Sequence, residues 1–205
     1  RQGHIGSFLR LPSPVSATCP SGLCQPQGLT AFFAALDRPG RPVRIVQFGD
    51  SHTAGGDIQA SLLWRLQGRF EGREITLSAH GLVGATLNAL VETQPLLSPE
   101  DRTPDLVIIA YGTNEGFDEL LDPGAYETAL RAQIERVKRA LPQSSILILG
   151  APEAMRGDGG GNCPGDVEQR WKAPAMLTVV RDVQHQVAAR AGVAFWDWKG
   201  RMGGD

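Results

Sequence analysis

The sequence has no cluster of positive charge. Its 20 basic and 22 acidic residues are interspersed and leave a net charge of −2. That excludes a nucleic-acid groove or an anionic-membrane surface, both of which need concentrated cations. Long apolar runs are also missing: the longest, Leu106 to Tyr111, is the size of a buried strand and too short to span a bilayer. There is no internal repeat or low-complexity tract, which excludes solenoids and arrays. Cysteine is scarce. Cys19 and Cys24 lie in Cys-Pro-Ser-Gly-Leu-Cys, where Pro20 and Gly22 favour a turn that can bring the sulfurs together in a small disulfide loop. Two unpaired thiols are the alternative. Zinc would need more ligands than this pair, and no nearby His or Cys completes a set. Cys163 is left over as a free thiol in a loop.

What is present suits one globular domain. The 205 residues are 41% hydrophobic and 20% charged, enough for one well-buried core. The chain opens at Arg1 without methionine, so a processed or trimmed form is expected. Residues 1–28 read as an irregular arm and 29–205 as the domain. A helix is predicted over Leu29 to Leu36, ended by Asp37-Arg38-Pro39-Gly40. Strands follow at Val43 to Phe48, Glu74 to Ser78, Leu106 to Tyr111, Ser145 to Leu149 and Val193 to Trp196. Helices are expected at Ile58 to Phe70, Ala85 to Val91, Tyr126 to Leu141 and Ala173 to Ala191, with a Gly-rich loop at Ala151 to Gly165. Strands separated by helices imply parallel pairing through right-handed crossovers. The expected fold is therefore α/β: a three-layer α/β/α sandwich around a five-stranded, flavodoxin-like parallel sheet.

Ligands bind beyond the carboxyl ends of such strands, and three Gly-rich turns fall there. Gly49-Asp50-Ser51-His52 lies between a strand and a helix, Gly81-Leu82-Val83-Gly84 follows the second strand, and Gly112-Thr113-Asn114-Glu115 follows the third. Taken singly, each has an ordinary reading: Asp50 and Ser51 as helix caps, Gly84 as a turn glycine, Asn114 as another cap. Together, at successive strand ends, they point to chemistry.

The sequence here resembles the SGNH (GDSL-type) hydrolase superfamily. Gly49-Asp50-Ser51 matches its first block, Gly84 its second and Gly112-Thr113-Asn114 its third, and the likeness covers about residues 29–205. The variant Gly49-Asp50-Ser51-His52-Thr53 is similar to bacterial peptidoglycan and polysaccharide O-acetylesterases. The resemblance implies that Ser51 attacks an ester carbonyl to form an acyl-enzyme. It also implies an oxyanion hole made of the Ser51 and Gly84 backbone N–H groups and the Asn114 carboxamide. Asp50 is expected to shape the turn by accepting backbone hydrogen bonds, and not to serve as the triad acid. His52 is not taken as the base, because adjacent side chains on a tight turn point apart. His80 is placed near the rim, His185 in a packing or surface position, and His4 in the arm.

In this family the acid and base come from a late Asp-x-x-His segment. No such segment follows Phe195-Trp196-Asp197-Trp198 before Asp205, and Asp197 is not given the acid's role. The expectation is a domain truncated at its C-terminus, with one side of the last strand left exposed. A natural pseudoenzyme, or a base from another residue or subunit, are the alternatives. The resemblance implies a secreted or periplasmic esterase that removes O-acetyl groups from a cell-wall or extracellular polysaccharide such as peptidoglycan, without metal or organic cofactor. A non-catalytic glycan-binding module and a polysaccharide O-acetyltransferase are the competing readings.

Overall fold

The computed structural model describes residues 19–90, 103–157 and 171–203. Its strands are β1 (Leu23–Cys24), β2 (Val43–Gly49), β3 (Ile75–Gly81), β4 (Leu106–Ala110), β5 (Ser145–Leu149), β6 (Arg156–Gly157), β7 (Trp171–Lys172) and β8 (Ala194–Trp196). The α-helices are α1 (Thr30–Asp37), α2 (Ser51–Gly55), α3 (Asp57–Arg69), α4 (Thr113–Gly116), α5 (Pro123–Ala140), α6 (Ala175–Ala191) and α7 (Trp198–Arg201).

Side chains alternate across each strand, and here both faces are apolar. Val46, Phe48, Val107, Ile109, Ile146 and Ile148 pack with Leu130, Ile134 and Val137 of α5 and Leu177, Val180 and Val187 of α6. Val43, Ile45, Leu106 and Ile108 pack on the other side with Phe32 and Leu36 of α1 and with Ile58, Leu62 and Leu66 of α3. The product is the expected α/β/α layering.

The main sheet runs β1-β8-β5-β4-β2-β3. Five strands are parallel, as predicted. Counted in chain order, their arrangement is 2-1-3-4-5, so the order reverses at β2. The sheet has one strand more than expected, because β1 pairs antiparallel with β8 through Leu23↔Trp196 and Cys24↔Phe195. The edge of β8 expected to lie bare is thus covered by the N-terminal segment. A Cys19–Cys24 disulfide closes the loop leading into β1 and fixes this short strand in place. The bridge is the one the Pro20 and Gly22 turn suggested.

Local chemistry moves several boundaries. α5 begins at Pro123, earlier than the apolar pattern indicates, because Asp122 accepts from the Gly124 and Ala125 N–H groups at 2.8 and 3.1 Å and Pro123 suits the first helical position. Of the helix expected at Ala85 to Val91, only Ala89 and Leu90 are helical, and Val91 lies outside the described residues. Side chains from α4 have taken this segment's backbone groups. Asn114 Nδ2 donates to Ala85 O at 2.7 Å, and Leu87 N–H donates to Glu115 Oε1 at 2.6 Å. The loop expected at Ala151 to Gly165 contains β6, which pairs with β7 through Arg156↔Lys172 and Gly157↔Trp171. Residues 158–165 of that loop, with Cys163, fall outside the described residues, as does the first part of the arm with His4.

Candidate active site

Strands β3, β2 and β4 finish level, since Gly49 is in register with both Gly81 and Ala110. The three Gly-rich turns therefore leave neighbouring strands at one end of the sheet, beside the strand where the order reverses. That reversal point is where open α/β sheets form their ligand crevice.

The first turn is tightly built. A Cβ on Gly49 would lie 2.1 Å from Thr53 Oγ1 and 2.6 Å from Ala110 O, so only glycine fits. Asp50 is the N-cap of α2, and its carbonyl accepts from Thr53 and Ala54 at 3.1 and 3.0 Å. Its N–H donates to Ala110 O, fastening the turn to β4. Buried glutamines brace the helix from below: Gln47 Nε2 donates to Thr53 Oγ1 at 2.8 Å and Gln59 Nε2 to Thr53 O at 2.9 Å. Ser51 opens α2 and is exposed. The N–H groups at a helix start have no intrahelical partner.

Asp50 is almost wholly buried at 1% exposure, yet it is not left unpaired. Its Oδ1 accepts the His52 backbone N–H at 3.0 Å and lies 3.1 Å from His52 Nδ1. The hydrogen bond to Asp50 raises the His52 pKa, outweighing the opposing effect of burial. The imidazole thus turns toward Asp50, and among the described residues no hydrogen bond joins it to Ser51. The edge of His52 meets the Trp198 ring, with centroids 5.3 Å apart.

The second and third turns are laced together. Leu82 N–H donates to Gly49 O at 3.1 Å, which brings the β3 turn against the first one. Gly84 is exposed and has φ +77°, a backbone region that disfavours a side chain, with open space where a Cβ would stand. Asn114 sits on α4, half-buried, with its carboxamide held on Ala85 O next to Gly84. That bond uses one of its two amide hydrogens. A buried Gln184 from α6 supports this side of the site by donating to Tyr111 O at 2.6 Å and Tyr126 Oη at 3.1 Å, while its Oε1 accepts from Ala151 N–H at 3.0 Å.

His80 lies in β3 directly before Gly81, and His185 lies on α6. His80 stacks on Phe48 with centroids 5.5 Å apart, and His185 stacks on Phe195 at 5.0 Å. Asp197 caps α7 by accepting the Gly200 N–H at 3.0 Å, a structural role in keeping with withholding the acid's role from it. One expectation needs correction. A histidine does lie beside the cysteine pair: His185 Nε2 is 4.0 Å from Cys19 Sγ. The fold brings a residue of α6 to the N-terminal loop across 166 positions, which no spacing rule could show. The two sulfurs are bonded to each other, so the three side chains do not form a ligand set in this state. Sequence reasoning also missed Glu115 and Trp198. Glu115 stood in the third motif without an assigned role, and the approach of Trp198 to His52 is visible only in three dimensions.

A serine at the strand-order reversal of a doubly wound sheet is an arrangement used by acyl hydrolases. Residues 48–205 match the GDSL-like lipase/acylhydrolase family. The chain belongs to that family and is a carboxylic ester hydrolase. No curated protein matches it. Among solved structures it is similar to a peptidoglycan O-acetylesterase, with 20% identity and a TM-score of 0.65 over 86% of this chain and 84% of that one. It is also similar to an acetyl xylan esterase from Geobacillus stearothermophilus, with 18% identity and a TM-score of 0.60 over 78% of each chain. A lipase/acylhydrolase from Enterococcus faecalis matches at 19% identity and a TM-score of 0.58, again over 78% of each. At these identities the likeness establishes the fold. Among the described residues, no helix is long and apolar enough to cross a membrane.

Proposed function

We propose that this protein is a serine esterase that removes O-acetyl groups from a cell-wall or extracellular polysaccharide through an acyl-enzyme at Ser51. The observation that carries the reading is the level ending of β3, β2 and β4, which sets Ser51, Gly84 and Asn114 on three adjacent turns tied to one another by hydrogen bonds.

The hydroxyl of Ser51 attacks the ester carbonyl, and negative charge gathers on the carbonyl oxygen. The backbone N–H groups of Ser51 and Gly84 and the free amide hydrogen of Asn114 receive that charge. Because these donors are fixed before the reaction, they need no reorganisation when the charge develops, which is what makes such a hole effective. The alcohol then leaves and water releases the acid. Asp50 holds the turn and the His52 ring; a general base takes the Ser51 proton, returns it to the departing alcohol, and then takes one from the water that releases the acid. The disulfide-closed N-terminal loop fits an oxidising compartment, the periplasm or the cell exterior.

The test is hydrolysis of p-nitrophenyl acetate and of an O-acetylated polysaccharide by the full-length protein and by Ser51→Ala. The proposal expects the variant to lose activity on both. Equal rates would remove Ser51 as the nucleophile. Activity on p-nitrophenyl acetate with none on any acetylated glycan would leave an esterase and remove the polysaccharide. Transfer of acetyl to a sugar in place of water would recast it as an acetyltransferase.

A further inference from the structure

The Cys19–Cys24 loop has beside it a third side chain able to bind a metal, and the esterase machinery uses none of the three. His185 of α6 places its Nε2 4.0 Å from Cys19 Sγ, and the ligand atoms of all three residues lie within 4.8 Å of one another. The imidazole is held in that attitude by stacking on Phe195, with centroids 5.0 Å apart. Cys24 is 4% exposed, while Cys19 and His185 are half-buried, so the group is shielded on one side and reachable on the other.

Backbone contacts hold the two cysteines close independently of their bond. Gly22 N–H donates to Cys19 O at 2.9 Å, closing the turn, and Asp197 N–H donates to Gly22 O at 2.7 Å. Cys24 is paired with Phe195 in the sheet. The four residues between the cysteines fall within the two to four that separate zinc-binding pairs. Metal–sulfur and metal–nitrogen bonds of about 2.3 and 2.1 Å at a tetrahedral ion set sulfur and nitrogen about 3.6 Å apart. The Cys19–His185 spacing is already close to that.

We infer that, once its disulfide is reduced, this trio is a binding site for a thiophilic cation such as zinc(II), with Cys19, Cys24 and His185 as ligands and the fourth position left to solvent. The reductant is a dithiol. Its thiolate attacks the more accessible sulfur, that of Cys19, and Cys24 leaves as a thiolate. The second thiol of the reductant then frees Cys19 and closes the reductant's own disulfide, so two electrons and two protons pass to the protein. Zinc replaces the two thiol protons, which go to solvent, and the two thiolates balance its charge. Sulfur and imidazole ligands favour such a cation over magnesium or calcium. The ion takes over the clamp that the bridge provided and keeps β1 on the edge of β8. This inference stands apart from the esterase reading, because no group of the proposed acyl site takes part.

The experiment uses the full-length protein carrying Cys163→Ser, reduced with dithiothreitol and desalted without oxygen. Cobalt(II) reports the ligand set through its thiolate charge-transfer band, and competition with zinc gives the affinity. The reduced protein should bind one equivalent with a tetrahedral spectrum, and the oxidised protein none. His185→Phe keeps a ring to stack on Phe195 and should weaken binding by more than about tenfold, since losing even an outer partner of a ligand costs that much. Cys19→Ser should do the same, and His185→Gln gives a second reading if the phenylalanine variant misfolds. Zinc should also return hydrogen exchange at Leu23 and Trp196 of the reduced protein toward its oxidised level. Unchanged affinity in both His185 variants would mean that the thiols alone chelate the ion, and would overturn the site. Equal binding by the oxidised protein would overturn it too, as would a reduced chain, folded or not, that takes up no zinc.

Discussion

His52 Nδ1 lies 3.1 Å from Oδ1 of the buried Asp50, so the residue next to the serine is bound to the residue before it. The pair acts as a brace. It gives the buried carboxylate a side-chain partner and holds the imidazole on Asp50. Asp50 also accepts the His52 backbone N–H, which locks the start of α2.

The brace predicts a pH dependence. The folded pKa of His52 lies above its ordinary value of 6.5, so protonation contributes stability below that value, and the contribution disappears as pH rises through the folded pKa. NMR titration should give a midpoint above 6.5. Urea unfolding should find His52→Gln more destabilising at pH 5.5 than at pH 8.5. Equal destabilisation at both would mean that the pair carries no charge.

Gln184 ties the carboxyl ends of β4 and β5 through Tyr111 O and the Ala151 N–H. Replacing it with leucine keeps the bulk and strands buried polar groups, so Gln184→Leu should cost about 3 kcal/mol in urea unfolding. A loss under about 1 kcal/mol would show that other groups satisfy those atoms.

Asn114→Ala removes both the bond to Ala85 O and a proposed oxyanion donor. The expected result is a kcat on p-nitrophenyl acetate lower by about 100- to 1,000-fold with KM nearly unchanged, because the donor acts only as charge develops. A rise in KM at constant kcat would mean that Asn114 binds substrate uniformly.

The Cys19–Cys24 bridge closes a short loop and holds β1 on the edge of β8. Reduction, or Cys19→Ser with Cys24→Ser, should lower unfolding stability by about 2 kcal/mol, the amount expected for so small a loop. It should also raise hydrogen exchange at Leu23 and Trp196. Unchanged exchange there would show that the strand holds without the bridge.

Much of this fold is legible in sequence because the parallel strands are apolar on both faces and the helices between them keep their own periodicity. Leu106 to Ala110 declares a buried strand by itself, and the three Gly-rich turns declare the site because each follows such a strand. Contacts between distant segments stayed hidden. β1 pairs with a strand more than 160 residues away, and two residues carry no detectable strand pattern. Helix formation after Gly84 was misjudged for a similar reason: Asn114 and Glu115, distant in sequence, take the backbone groups that a helix would have used. His185 beside Cys19 and Trp198 beside His52 are likewise products of packing.

The most direct test of Ser51 as nucleophile is mass spectrometry of the full-length protein treated with a serine-directed sulfonyl fluoride, followed by peptide mapping. One adduct should form on Ser51, with hydrolysis of p-nitrophenyl acetate falling in proportion to labelling. An adduct elsewhere, or full activity in a fully labelled protein, would contradict the account.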